Sequence, residues 1–316
     1  MEYALVALGL VILLLAGDSL VRGAVNAALR LGVPALIVGL TVVAFGTSAP
    51  ELLVSIQAIL DGAPGIALGN VVGSNIANIL LVLGVPAIIS GLHTGASETR
   101  KSYVTMLAAS VFFIALAWFG PLGWMHGLAL LAFLAVVLGD QLREALDHRR
   151  NGLAASAEEE VEGADPSMAW WKIGVFLVLG LVGLPLGADL LVDNSMSIAR
   201  RLGVSETVIG LTLVAVGTSL PELATTVMAA IRREADVALG NVIGSNIFNL
   251  LAIMGIASLF GDIEVDRQFL TFDFWVMLGA SLLLVPFVFS WSRALTKRWG
   301  ILFVALYASY LFALVA

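Results

Sequence analysis

The chain contains no cysteine. Disulfides, thiolate metal sites and a cysteine nucleophile are therefore excluded. Histidine is scarce: His93, His126 and His148 are all there is, and each falls in or near an expected loop. Charge is scarce too. Asp, Glu, Lys and Arg make up 12% of the 316 residues, against roughly 25% in an ordinary globular protein. Hydrophobic residues reach 60%, and the mean hydropathy is +1.02. Too little polar surface remains to coat a soluble body of this size. A net charge of −7 with no basic stripe argues against nucleic acid as a partner. No His-Glu-x-x-His zinc motif and no Gly-x-Ser-x-Gly elbow occurs, which argues against an intramembrane enzyme. What remains is the composition of an integral membrane protein.

Long apolar runs are present throughout. A helix crossing the hydrocarbon needs about 20 mostly apolar residues. Ten stretches come near this: 3–24, 36–60, 66–90, 103–119, 121–138, 170–192, 207–231, 237–260, 270–290 and 299–315. The first follows Met1-Glu2-Tyr3 with no positive n-region, so it reads as a permanent span and not as a cleaved signal. The expected fold class is an all-α integral membrane protein of ten transmembrane helices. With the N-terminus outside, 13 of the 16 basic residues fall in inside loops and only Arg200, Arg201 and Arg267 outside. The positive-inside rule then places both termini outside, in a multi-pass protein of the cell's inner (plasma) membrane. A polar gap from about Asp140 to Met168, with Glu158-Glu159-Glu160 at its centre, reads as a solvated cytoplasmic linker.

The sequence repeats itself. Gly39-Leu-Thr-Val-Val-Ala-Phe-Gly-Thr-Ser-Ala-Pro-Glu51 matches Gly210-Leu-Thr-Leu-Val-Ala-Val-Gly-Thr-Ser-Leu-Pro-Glu222 at an offset of 171. Ala67-Leu-Gly-Asn-Val-Val-Gly-Ser-Asn-Ile-Ala-Asn78 matches Ala238-Leu-Gly-Asn-Val-Ile-Gly-Ser-Asn-Ile-Phe-Asn249 at the same offset. Residues 1–138 and 170–316 are thus two copies of a five-helix unit joined by the linker at 139–169. Five is odd, so the second copy enters from the opposite face, and the halves are expected to be inverted repeats. In such transporters the site lies near the midplane between equivalent helices, and exchange of conformation between the halves gives alternating access.

Glu51 and Glu222 fall in the middle of expected spans, where a carboxylate costs at least about 2.5 kcal/mol and marks function by default. No Lys or Arg occurs at the centre of any span, so a cation from solution must supply the countercharge. Pro50 and Pro221 lack an N–H and leave the carbonyls of Gly46 and Gly217 without a helical partner. Those of Ala44 and Ala215 are expected to loosen with them. Thr47 and Thr218 lie four residues before the glutamates, hence on the same helical face. Ser74 with Asn78, and Ser245 with Asn249, repeat that spacing, and Asn70 and Asn241 add amides. Asn75 and Asn246 either join this shell or link helices. The set is carboxylate, hydroxyl, amide and carbonyl, all hard oxygen ligands, which selects Ca²⁺, Mg²⁺ or Na⁺ over Zn²⁺ or Cu²⁺. Asp18, four residues before Arg22, reads as half of a local ion pair.

The two blocks resemble the alpha-1 and alpha-2 repeats of the cation/calcium antiporter superfamily, and most closely prokaryotic sodium/calcium exchangers. The likeness extends over essentially the whole chain. It implies a rigid core of eight helices, with the first and sixth sliding across it. It implies Ca²⁺ held by Glu51, Glu222 and the carbonyls of Thr47 and Thr218. It implies overlapping Na⁺ sites that add Ala44, Ser48, Ser74, Ala215, Ser219 and Ser245. Asn78 and Asn249 stand where members of the superfamily carry either Asp or Asn. An Asp at the second position is associated with potassium-dependent branches, so the Asn here disfavours potassium cotransport. Ca²⁺ and Na⁺ are then transported ions, with no resident cofactor, no partner but the bilayer, and no obligate protein partner. The alternative within the superfamily is a proton/calcium antiporter, which typically carries Gly-Asn-x-x-Glu in its repeats.

Overall fold

The computed structural model describes residues 2–93, 97–150, 165, 167–203, 215–289 and 294–315. In chain order the helices are α1 (Glu2–Leu31), α2 (Ala35–Thr47), α3 (Ala49–Leu60), α4 (Pro64–Ile89), α5 (Ser97–Trp118) and α6 (Trp124–Arg150). There follow α7 (Trp170–Arg201), a single turn at Ala215–Gly217, α8 (Leu220–Ile231), α9 (Ala235–Ala257), α10 (Phe269–Val288) and α11 (Lys297–Val315). Among the described residues 8 of these are long and apolar enough to cross a membrane. The bent pair α2–α3, whose arms differ by 42°, is long and apolar enough to make a ninth if its two arms are taken as one span. The start of the expected seventh span, with the motif residues Gly210 to Val214, lies outside the described residues. So does the acidic run Glu158–Glu160.

The helices carrying the second motif are the most enclosed. The most apolar stretch of α9 is wholly buried, whereas only 17% of that in α6 and α11 is. α4 and α9 therefore form the centre of the main core, and α6 and α11 turn apolar faces outward, as a lipid surrounding requires. A separate cluster joins α1 to α7 through Leu13, Ala16, Leu20, Leu184 and Ala188. Glycine permits this contact. A Cβ on Gly180 would lie 2.5 Å from that of Leu20, and one on Gly183 would lie 2.8 Å from that of Ala16. Small residues let two backbones approach this closely, which is how helices associate where no hydrophobic drive separates lipid from side chain. Both helices exceed expectation. The span expected at 3–24 is a helix of 30 residues, and that at 170–192 one of 32. At 1.5 Å per residue each is at least about 45 Å long, so each must tilt or project from hydrocarbon about 30 Å thick.

The helix before the expected linker runs on into the polar gap. α6 continues through residues 139–150, because Gln141-Leu-Arg-Glu-Ala-Leu146 are strong helix formers. Lys101 also pairs with Asp140 and Glu144 on α6, each at 2.7 Å.

The offset of 171 reaches into the backbone. Gly32 and Gly203 have φ of 68° and 79°, and Gly62 and Arg233 have φ of 73° and 62°. Five-residue π-helical segments start at Asn78 in α4 and at Asn249 in α9. Such a segment inserts one residue into the helical ladder and turns the following side chains.

Candidate functional site

Each glutamate follows a break that proline creates. Pro50 and Pro221 are the second residues of α3 and α8, and neither can donate to the carbonyl four residues back. The chain bends at Ser48 (φ −86°, ψ 5°) and at Ser219 (φ −90°, ψ 5°). Glu51 and Glu222 thereby land in the first turn of a new helix. There the free N–H groups and the positive end of the helix dipole favour an anion. Both are 1% exposed, and among the described residues neither has a Lys or Arg partner.

The two breaks meet. The Ser48 hydroxyl donates to Glu222 Oε1 at 3.2 Å. The Thr47 hydroxyl lies 3.3 Å from both the Asn241 Oδ1 and the Ala44 carbonyl. That carbonyl also accepts the Ser48 N–H at 3.0 Å, so in this structure Ala44 oxygen is engaged and not loosened. Ala215 begins the turn that precedes Thr218 and Ser219.

Among the described residues, six buried side-chain oxygens of the motif residues have no hydrogen-bond partner: Glu51 Oε2, Glu222 Oε2, Ser219 Oγ, Ser245 Oγ, Asn78 Oδ1 and Asn249 Oδ1. Buried polar atoms are nearly always paired, because each lost partner costs of order 1–3 kcal/mol. A set of unpaired oxygens from carboxylate, hydroxyl and amide groups has the chemistry of hard-cation ligands. Ser74 is buried as well, at 4% exposure.

A second set of residues holds the first in place. The Asn70 amide donates to the Glu51 carbonyl at 3.4 Å and to Ser55 Oγ at 3.2 Å. The Asn241 amide donates to the Glu222 carbonyl at 3.3 Å and to Thr226 Oγ1 at 3.0 Å. These triads are equivalent under the offset. Asn78 donates to Asn246 Oδ1 at 3.0 Å, and Asn249 donates to Asn75 Oδ1 at 3.1 Å. The amides of Asn75 and Asn246 turn to the sulfurs of Met277 and Met106, at 3.7 and 3.6 Å. Of the two readings open for Asn75 and Asn246, the contacts match the linking of helices. Ser55 and Thr226 were missed in the sequence, although both sit four residues after a glutamate and 171 apart. Asp18 does pair with Arg22, at 3.1 Å, and in addition with Arg232. His126 accepts the Gly123 N–H through Nδ1 at 3.2 Å, a turn contact away from the glutamates.

Known proteins are similar to this chain in sequence and in fold. A family model described as sodium/calcium exchanger protein matches residues 1–142 and 172–316. The sodium/calcium exchanger MaX1 of Methanosarcina acetivorans is 36% identical, covering 99% of this chain and 98% of its own. An uncharacterized membrane protein of Methanocaldococcus jannaschii, MJ0091, is 38% identical over 95% of this chain and 93% of its own. The solved structure of the sodium–calcium exchanger NCX_Mj soaked with zero Na⁺ and Ca²⁺ superposes with a TM-score of 0.82 at 35% identity, covering 99% of this chain and 98% of that one. The duplicated motifs, the buried glutamate pair and these likenesses together make the chain a member of the sodium/calcium exchanger family.

Proposed function

We propose that the protein is a secondary active antiporter that exchanges Na⁺ for Ca²⁺ across the inner membrane by alternating access. One observation carries the reading: among the described residues, two buried carboxylates without a basic partner accompany unpaired buried oxygens contributed by both motifs. Two carboxylates neutralise one Ca²⁺, and the same oxygens suit Na⁺. Glu51, Glu222, Thr47 and Thr218 then hold Ca²⁺. Ala44, Ser48, Ser74, Ala215, Ser219 and Ser245 serve Na⁺ with the same glutamates, and Asn78 and Asn249 complete the shell. Overlapping sites make the ions compete, which couples their fluxes.

In this reading the chain forms ten transmembrane helices as two inverted five-helix repeats, with both termini outside. The matched φ values, π segments and asparagine triads at one offset support the repeat. Exchange is electrogenic and independent of K⁺, the latter because position 249 is Asn. The deciding experiment is ⁴⁵Ca²⁺ uptake into vesicles loaded with Na⁺, Li⁺, K⁺ or choline. Uptake that requires internal Na⁺ is expected. Uptake indifferent to Na⁺ and driven by a pH gradient would instead identify a proton/calcium antiporter.

A further inference from the structure

The two halves match in sequence but not in all of their contacts. α1 is seated on α8: a Cβ on Gly17 would lie 3.0 Å from the Ala224 carbonyl and 3.3 Å from Met228 Cγ. Ala224 is accordingly only 7% exposed. Its equivalent under the offset is Leu53 on α3, which is 68% exposed. α7 therefore does not sit on α3 as α1 sits on α8. The structure holds one of two pseudo-symmetric arrangements.

An ion-pair cluster accompanies the seated side. Asp18 of α1 accepts from Arg232 at the end of α8, at 2.5 Å from its Nε, and from Arg22 one turn along at 3.1 Å. Arg232 is 11% exposed and Asp18 22%, so water screens this pair less than a surface one. The offset takes Asp18 to Asp189, Arg22 to Asp193 and Arg232 to Asp61. All three equivalents are carboxylates, and all three are exposed. Exchanging the conformations of the halves would seat α7 on α3. One carboxylate between two guanidinium groups would then be replaced by three carboxylates brought together. Like charges at such distances repel where the original set attracts.

We propose that Asp18 and Arg232 are positioning residues that latch α1 onto α8, with Arg22 holding the same carboxylate from within α1, so that the resting protein keeps closed the face at which α1 ends. The acidic set Asp61, Asp189 and Asp193 disfavours closure of the other face. The proposal rests on the alternating-access reading above. It adds a direction to it: the symmetric mechanism is biased by charges placed away from the transport site. A ligand or substitution shifts such an equilibrium only through a difference between the two states, and this cluster is one.

The chain's lack of cysteine permits a direct test. Ala188→Cys with Leu53→Cys marks the contact that α7 would make on α3, equivalent to that of Gly17 with Ala224. The rate of disulfide cross-linking by copper phenanthroline then reports how often that arrangement is visited. Adding Arg232→Gln removes the latch and is expected to raise the rate about fivefold, the effect of losing a pair at the upper end of partly exposed bridges. Adding Asp61→Arg instead builds a mirror latch to Asp189 and is expected to raise it as well. It changes an exposed side chain, so it decides the matter if the Arg232 variant does not fold. A rate unchanged in either folded variant overturns the proposal. Sodium-driven ⁴⁵Ca²⁺ uptake by the unmodified protein, measured in parallel, tests the exchanger reading separately.

Discussion

The hydroxyl of Ser48 donates to Glu222 across 3.2 Å, joining the broken helix of one half to the carboxylate of the other. Neither half therefore holds a complete site. Among the described residues Oε2 of each glutamate is buried and unpaired, and a bound cation is the partner that the chemistry of the set allows.

Glu51→Gln is expected to abolish Ca²⁺ exchange while leaving the protein folded and extractable, and Glu222→Gln to do the same. Each substitution keeps the shape of the side chain and leaves one negative charge facing a divalent ion. Near-normal ⁴⁵Ca²⁺ uptake by either variant would remove these residues from the ligand set.

Asn249→Asp should alter ion coupling more than folding. Asn249 donates to Asn75 Oδ1 at 3.1 Å, and rotating the Asn75 amide by half a turn would offer the new carboxylate a donor. A third carboxylate overcompensates one Ca²⁺, so it either recruits another monovalent cation or takes up a proton. Exchange should become dependent on K⁺ or on pH. Profiles that overlay those of the unmodified protein would place Asn249 away from the ions.

Transport should move net charge. The oxygens of Ser48, Ser74, Ser219 and Ser245 with both glutamates exceed what two Na⁺ require, and each surplus charge couples to voltage by about 2.3 kcal/mol per 100 mV. Ca²⁺ uptake into Na⁺-loaded vesicles should accelerate when the interior is clamped positive with K⁺ and valinomycin. Rates indifferent to the clamp would mean electroneutral exchange.

Gly180→Leu should separate α1 from α7. Even a Cβ there would meet that of Leu20 at 2.5 Å, and overpacking of this kind costs about 1–3 kcal/mol or more. A lower thermal midpoint in detergent is the expected result. Gly279→Ala is the control, because nothing lies within 4 Å of its added Cβ. Equal midpoints for the two variants would mean that α1 and α7 do not pack at Gly180.

The membrane class, the duplication and the glutamates were legible in the sequence, for physical reasons. Hydrocarbon demands apolar runs of fixed length, and a carboxylate within one has no ordinary use. The offset of 171 then assigned every motif residue its counterpart. Other features depended on contacts between segments distant in the chain. Proline at 50 and 221 announces a break, but only the packed structure shows that Ser48 reaches across to Glu222 and that the Ala44 carbonyl stays engaged. The π segments at Asn78 and Asn249 have no compositional signature, since an extra residue in a helix leaves its hydrophobicity unchanged. Ser55 and Thr226 look like ordinary helix residues until Asn70 and Asn241 are brought against them. The extension of α6 into the polar gap follows from helix propensity and Lys101, where composition alone suggested a linker. Asp18 and Arg22 form a local pair that spacing foretells. Arg232 joins them only because α1 lies on α8, and a repeated sequence cannot say which of its two equivalent contacts is made.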